Sequence, residues 1–395
     1  MIRFKNGISL HCILASVYFF MLPLTIATNS AGASFLKIAT LPIGLYFVAS
    51  ILFFKQEIKI NMVHIALVVF TLSMVSTLFA ASDRDSVVVI TGYFLNAALY
   101  ISMSVAAYND KELKVFEYVQ VALLVIIIVA TLMDNTIGES NRETLTIFGQ
   151  ASDPNYFVGY IIFPLSVVLE KIAKSRWRIF YIILAGAGIY TVFLSGSRGG
   201  LLAVIITIVA FAVAYPRGIH KKIIVMALLL GSLLMLWIVL SPLLPESVVE
   251  RMSIDAIVES RGTYRADIWE SMIDEIKDSG VEVIFGRGMS KKHEMVINGT
   301  LDYNVEAHNY YIQVLYNQGV IGLILFLLLI GTAMGRCIRR RTFVAVALIG
   351  MMALVVSLSV NPSMKTLWNI IPYAAFTFAG EGSNKIEGGA LENES

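Results

Sequence analysis

From Ile223 to Leu243 the chain reads IIVMALLLGSLLMLWIVLSPL, without one charged side chain. A helix needs about 20 mostly apolar residues to cross the hydrocarbon core of a bilayer, and this stretch supplies them. Working outward on the same criterion gives twelve segments, roughly 8–28, 35–54, 60–80, 87–107, 115–133, 155–170, 177–195, 200–215, 223–243, 309–333, 342–360 and 365–380. The composition agrees. Of 395 residues 57% are hydrophobic and 15% charged, with a mean hydropathy of +0.76; an average soluble domain is about 25% charged. A water-soluble fold of this length would lack the polar surface to cover itself. A soluble enzyme, a secreted disulfide scaffold and a disordered chain are therefore excluded. The expected class is an all-α polytopic membrane protein. The net charge of +2 gives no argument for nucleic acid. The two cysteines, Cys12 and Cys337, fall at the same expected face and make neither a disulfide framework nor a metal-ligand spacing. The first segment is long, lacks a small-residue cleavage site and is followed at once by another, so it reads as a span and not as a cleavable leader.

Lys and Arg set the orientation. With Arg3 and Lys5 inside, the inner connections are KQEIK (55–59), NDKELK (109–114), KIAKSRWR (171–178), PRGIHKK (216–222) and RCIRRR (336–341). The outer ones are NSAGAS, ASDRDS, the stretch 134–154, SGSR and NPSMK. The larger share of the basic residues falls inside, so both termini are expected in the cytoplasm. Residues 1–380 form one membrane domain on this reading, and the polar tail 381–395 is expected to be disordered.

One connection is long. Residues 244–307 lie outside the membrane, and a loop of that length is uncommon unless it is folded or functional. Pro242 and Pro245 should end the ninth span. From Tyr264 to Lys277 an apolar stripe of Ile268, Trp269, Met272, Ile273 and Ile276 recurs at helical spacing. The expectation is a small helical cap on the outer membrane face.

Four outer motifs carry candidate chemistry. SGSRGGLL (195–202) places Arg198 where one span ends and the next begins. A cation beside a helix N-terminus makes a phosphate site; an arginine snorkelling to the interface explains the same residue. RGTYRADIW (261–269) puts Arg261, Arg265 and Trp269 on one helix face if the helix starts early enough. The arginines fit a diphosphate or an anionic sugar, and an ordinary solvated face fits them too. AHNYY (307–311) followed by QGVIG (318–322) offers His308, whose ordinary pKa suits proton transfer near neutrality, with Asn309 and Tyr310 beside it. GQASDPN (149–155) carries Asp153, Pro154 and Asn155, a helix-start signal in which Asp153 is the cap; an acceptor-positioning role is the alternative. Asp83-Arg84-Asp85 is formally D-x-D, but it lies on the wrong side for nucleotide sugars and is set aside. No Walker loop, zinc motif, G-x-S-x-G or dinucleotide fingerprint is present, so no cofactor and no metal are expected.

Taken in order, these motifs resemble the O-antigen ligase and O-antigen polymerase superfamily of bacterial envelope glycan enzymes. Arg198 through Leu202 matches the family's R-x-x-x-L element. His308, Asn309, Gly319 and Gly322 match its H-N-x9-G-x-x-G element. The helix with Arg265 and Trp269, the following Phe285-Gly286-Arg287-Gly288 and the Asp153-Pro154-Asn155 turn are similar as well. The likeness covers about 149–333; the first four spans match only as hydrophobic helices. It implies a GT-C-type bundle of about 12 transmembrane helices with an extracytoplasmic cap, in the bacterial cytoplasmic membrane. It also implies a metal-independent glycosyltransferase whose donor is a glycan on undecaprenyl diphosphate. The acceptor is a second lipid-linked glycan in a polymerase or the lipid A core in a ligase, and a chain-length regulator is a further partner. On this resemblance Arg198 and Arg265 meet the diphosphate, with Arg261 in support. His308 is the base or acceptor-positioning group, and Asn309, Tyr310, Asp153, Asn155 and Trp269 contact substrate. The Arg-x-x-x-Leu and His-Asn elements fit ligases well, whereas the Asp153-Pro154-Asn155 turn, the RADIW helix and the long loop favour a polymerase of O-antigen, capsular or exopolysaccharide repeat units, the reading preferred here. A transporter or flippase is the competing class, but its charges belong at mid-membrane, whereas these lie at the outer boundary.

Overall fold

The computed structural model describes residues 4, 7–26, 35–53, 58–80, 82–133, 145–147, 150–216, 218–253, 265–297, 300–340, 342–357 and 365–378. Arg261, Gly149 and the tail 381–395 lie outside the described residues. The helices of the first half are α1 (Leu10–Phe20), α2 (Phe35–Phe53), α3 (Met62–Ser76), α4 (Arg84–Ser104), α5 (Asp110–Met133), α6 (Pro154–Lys174), α7 (Arg178–Leu194) and α8 (Arg198–Ala214). They continue as α9 (Ile219–Leu240), α10 (Glu246–Met252), α11 (Arg265–Lys277), α12 (Glu282–Phe285), α13 (Tyr310–Arg340), α14 (Thr342–Leu354) and α15 (Lys365–Ala375). Each of the twelve expected segments overlaps one of these helices, several of which start or end outside it. Among the described residues six helices are long and apolar enough to cross a membrane by length and composition, against the twelve expected, and five shorter apolar helices accompany them. The chain is thus a multi-pass helical membrane protein.

The caps explain several starts. Asp153 accepts from the Asn155 and Tyr156 amides, and Pro154 occupies the first helical position of α6. Asn61 and His64 form a reciprocal capping box on α3, and His64 Nε2 is 2.9 Å from Ser104 Oγ. Asp83 caps α4 through the Ser86 amide, which holds its carboxyl below the usual range, and it accepts from Ser290 Oγ at 3.0 Å. The D-x-D aspartate is therefore a tie between α4 and the outer loop.

Helix α6 is the spine. Its run from Phe157 to Leu169 is buried, and it packs against α5, α7, α8 and α14. Helix α14 lies so close on α8 that a Cβ at Gly350 would sit 2.0 Å from Thr207 Oγ1. Helix α9 is peripheral, with no buried residue, and ends at Leu240 before Pro242 as expected.

The outer loop is folded. Helix α11 buries Ile268, Met272 and Ile276 against Val305, Ala307 and Tyr316, the stripe foreseen from its spacing. The all-helical expectation for the cap needs correction. Short strands occur as β1 (Ala107–Tyr108), β2 (Thr146–Ile147), β3 (Gln150–Ala151), β4 (His293–Ile297), β5 (Thr300–Val305) and β6 (Thr377–Phe378). β1 pairs with β6 in parallel and β2 with β3 antiparallel; β4 and β5 form an antiparallel hairpin inside the cap, with Ile297 opposite Thr300. The sequence between the last two is Asn298-Gly299, a strong two-residue hairpin signal that the helical reading passed over.

The cap is latched to α13. That helix breaks at Gly319, with φ 68° and ψ −170°. The strap Gly286–Gly288 fills the break: the Arg287 amide donates to Tyr316 O at 3.0 Å and the Gly288 amide to Asn317 O at 3.2 Å. Asn317 Nδ2 donates back to Gly288 O at 2.5 Å and Lys291 O at 3.1 Å. Two stretches that matched the family as separate motifs are thus one joint.

Candidate functional site

The corner between α7 and α8 is a turn of Ser195, Gly196 and Ser197. Ser197 caps α8 by accepting from the Gly200 amide at 2.9 Å, and its hydroxyl donates to Asn155 Oδ1 at 2.6 Å. Asn155 is thereby a brace between α6 and α8. Gly200 makes the approach feasible, since a Cβ there would meet Val158 Cγ2 at 2.4 Å. The result fixes Arg198 at the first position of α8, beside the start of α6.

Arg198 does not act alone. Its Nε donates to Arg251 O at 2.7 Å, and Arg251 Nε donates to Gly196 O at 3.2 Å. The two arginines are cross-tied through each other's chain segments. Arg251, at the end of α10, also lies within electrostatic reach of Arg265 at the start of α11. Burial lowers the Arg265 pKa, Asp153 raises it and Arg251 lowers it. Arg251 thus links Arg198, to which it is tied, with Arg265, and Arg265 in turn lies within electrostatic reach of Asp153. Like charges gathered at partly buried positions suit a ligand of opposite charge. The sequence reading missed Arg251, which sits in no motif; only the reciprocal tie reveals it.

His308 closes this group. It adopts a left-handed backbone, φ 45°, the one described residue other than glycine to do so. Such a conformation costs of order 1–3 kcal/mol and persists only where neighbours hold it. They do so here. Trp269 Nε1 donates to Ala307 O at 2.6 Å, and the Ala307 amide donates to Gln313 Oε1 at 2.9 Å. On the other side Asn309 Oδ1 accepts from the Tyr311 amide at 3.1 Å and caps α13. Trp269 and Asn309 are thus the clamps on either side of His308. Tyr310 is drawn away from the site: it is fully buried, with its ring 4.9 Å from Phe326.

Surrounding protein lowers the His308 pKa, and the Arg265 charge lowers it further; Glu306 and Asp153 act the other way, and Lys292 adds to the lowering. The imidazole keeps a solvent-facing surface and is held neutral below its ordinary pKa of about 6.5. A base of this kind is ready to take a proton throughout the neutral range. The acid limb of the activity profile should therefore lie below pH 6.5. In Arg265→Gln the limb should move up, because one lowering charge is gone. The residual rate of that variant, followed from pH 5 to 8, checks this; an unmoved or lowered limb contradicts the coupling. The stability sign is the same: with the folded pKa depressed, stability is lost as pH falls from about 6.5 towards the folded value.

The structure thus brings Arg198, Arg265, His308 and Asp153 to one end of the bundle, with Asn155, Trp269 and Asn309 as supports. Tyr310 lies elsewhere, and Arg261 is outside the described residues. A model of the family described as O-antigen ligase matches residues 179–327. No curated protein matches the chain. The matched span holds Arg198, Arg251, Arg265, His308, the strap and the break in α13. The match at residues 179–327 supports the ligase and polymerase superfamily that the sequence motifs resemble.

Proposed function

We propose that this protein transfers a glycan from a polyprenyl diphosphate to an acceptor hydroxyl at the outer face of the cytoplasmic membrane, joining O-antigen, capsular or exopolysaccharide repeat units. The convergence of Arg198, Arg251 and Arg265 beside His308 carries this reading. Members of the family act on lipid-linked glycans and acceptors in general, which supports the substrate class.

The chemistry follows from charge. As the bond from the anomeric carbon to the diphosphate oxygen breaks, its electron pair moves onto the diphosphate. Guanidinium groups already aimed at that oxygen stabilise the transition state more than the ground state. The acceptor oxygen forms the new bond to the anomeric carbon and releases its proton to the neutral His308 imidazole, which returns it to water. A single displacement inverts the anomeric centre. Asp153 holds Arg265 by charge and stabilises the imidazolium as it forms. Twelve crossings with both termini inside, and residues 1–380 as one unit, complete the proposed arrangement.

A ligase is the second reading, favoured by the printed description of the matching family. The test is complementation of a deletion strain with wild type and Arg265→Ala at matched membrane levels, with surface glycan resolved by size. A polymerase predicts that the variant loses the ladder but keeps single repeat units on the final anchor. A ligase predicts that attached glycan vanishes and polymer accumulates on the lipid carrier. A wild-type ladder from Arg265→Ala would overturn the reading in both forms.

A further inference from the structure

On the Lys292 side of His308 the cap encloses a polar cleft of about 440 Å³ that the transfer step does not use. Helix α11 supplies Ser271 and Glu275 to its wall, and the strap and the chain entering β4 supply Arg287, Lys291, Lys292 and Glu294. Its volume falls among small-ligand sites, about 300–1,000 Å³.

The floor is built and rigid. His293 is 4% exposed, with Nε2 at 2.9 Å from Ser271 Oγ and Nδ1 at 2.5 Å from Glu275 Oε2. Tyr316 donates to the same carboxylate oxygen at 3.1 Å. Arg287 Nη1 lies 2.6 Å from Glu275 Oε1, and its guanidinium covers the Tyr316 ring at 5.5 Å. Both oxygens of Glu275 are engaged. Ser271, His293 and Glu275 are spaced as a nucleophile relay would be, but Ser271 sits mid-helix, where the neighbouring amides are spent on the helix itself. The relay is a scaffold that fixes the hairpin on α11.

The rim has a different character. Lys291 and Glu294 are exposed, one a donor and the other an acceptor. Beside them Lys292 pairs with Glu306. Interspersed donors and acceptors around a small cleft match a sugar ring, whose hydroxyls both give and accept hydrogen bonds. An apolar ligand would strand these charges.

Position says which glycan. His308 follows Glu306 by two residues, and Glu306 pairs with Lys292 in the wall of the cleft. The arginines take the diphosphate of the donor, which leaves the cleft, joined to the base through the Lys292–Glu306 pair, for the acceptor. We propose that this cleft is the acceptor subsite, holding the sugar next to the one whose hydroxyl attacks. It selects a polyhydroxylated acceptor by Lys291 and Glu294 at the rim. The inference rests on the glycan-transfer reading and assigns its acceptor a place.

The test uses the full chain in lipid nanodiscs. The probe is the repeat-unit oligosaccharide released by mild acid from the host's own lipid-linked intermediates and tagged at its reducing end. Binding is followed by fluorescence anisotropy, and transfer by extension of the probe when donor-bearing vesicles are added. Lys291→Ala and Glu294→Ala should each raise Kd and the acceptor KM about tenfold, the loss of one charge-assisted hydrogen bond, with kcat unchanged. Arg198→Ala should bind the probe as wild type does and fail to extend it. Wild-type Kd and KM in both rim variants would overturn the subsite and leave the transfer reading intact. Wild-type protein that binds the probe through the rim but never extends it would overturn transfer to this acceptor and leave the cleft as a glycan site. Absence of binding by wild type overturns the subsite outright.

Discussion

Arg198→Ala should lower the transfer rate by roughly a hundred- to a thousandfold while the protein still folds, the usual cost of deleting one preorganised group aimed at developing charge. Two effects add. The first is the missing charge at the N-terminus of α8, where the helix's own unsatisfied amides already favour an anion. The second is the freed Arg251: its carbonyl loses the Arg198 donor, while its own bond to the Gly196 carbonyl remains. The stability cost should be far smaller, about 1 kcal/mol for a partly buried hydrogen bond. Arg198→Lys separates the two effects. It keeps the charge but loses the planar fork that reaches the Arg251 carbonyl, so it should recover only part of the rate. Initial rates at matched protein in defined vesicles, beside melting curves, read both. A rate for Arg198→Ala within tenfold of wild type would remove the arginine from the chemistry and return it to an interface anchor. Arg251→Ala should follow the same direction with a smaller loss, because its Nε is committed to the Gly196 carbonyl and only the remainder of its charge faces the site.

The sequence made the frame of this site readable because each part of the frame is a local pattern. Apolar runs mark the helices, Asp153-Pro154 marks the start of α6, and the spacing of Ile268, Met272 and Ile276 marks the buried face of α11. Arg198 and His308 stood out because charge and imidazole at span ends are unusual. What stayed hidden depends on contacts between distant segments. Arg251 carries no local signal; its meaning comes from the Gly196 carbonyl 55 residues away in sequence and from the Arg198 guanidinium 53 residues away. Trp269 was read as a substrate contact, yet its indole fixes the backbone before His308. Tyr310 looked like a face for sugars, but a residue just inside a helix can turn to either side, and here it turns into the core. The hairpin was the one local feature overlooked: Asn298-Gly299 between His293–Ile297 and Thr300–Val305 announces it, and a helical expectation for the whole loop masked it.

The latch between cap and bundle gives the second large effect. Gly319→Ala or Gly286→Ala should unseat the cap and abolish transfer, whereas Gly331→Ala in the same helix should change nothing. At Gly286 a Cβ would lie 2.2 Å from Asn317 O and 2.4 Å from Gln318 N; at Gly319 it would lie 2.3 Å from Ile284 O and 2.6 Å from Gly286 N. These are backbone atoms of the facing segment, so no side chain can rotate away to make room. Both glycines also have positive φ, 84° and 68°, which adds about 1–2 kcal/mol for any other residue. Overpacking contributes about 1–3 kcal/mol more. A Cβ at Gly331 meets nothing within 4 Å. Once one substitution has pushed strap and helix apart, the second has little left to disrupt, so the double variant should melt close to the worse single one instead of at the sum. The consequence for activity passes through the first turns of α13: Tyr316 and Asn317 anchor the strap, Gln313 and Asn309 hold the backbone around His308, and Glu275 ties the same helix to the cap. Unseating the strap therefore loosens both clamps on the strained histidine. Limited proteolysis between α11 and β5, run beside the transfer assay, reads the two ends of this chain of contacts. Gly319→Ala with the protease resistance and rate of Gly331→Ala would show that the break in α13 carries no load, and the H-N-x9-G-x-x-G spacing would then need another physical cause.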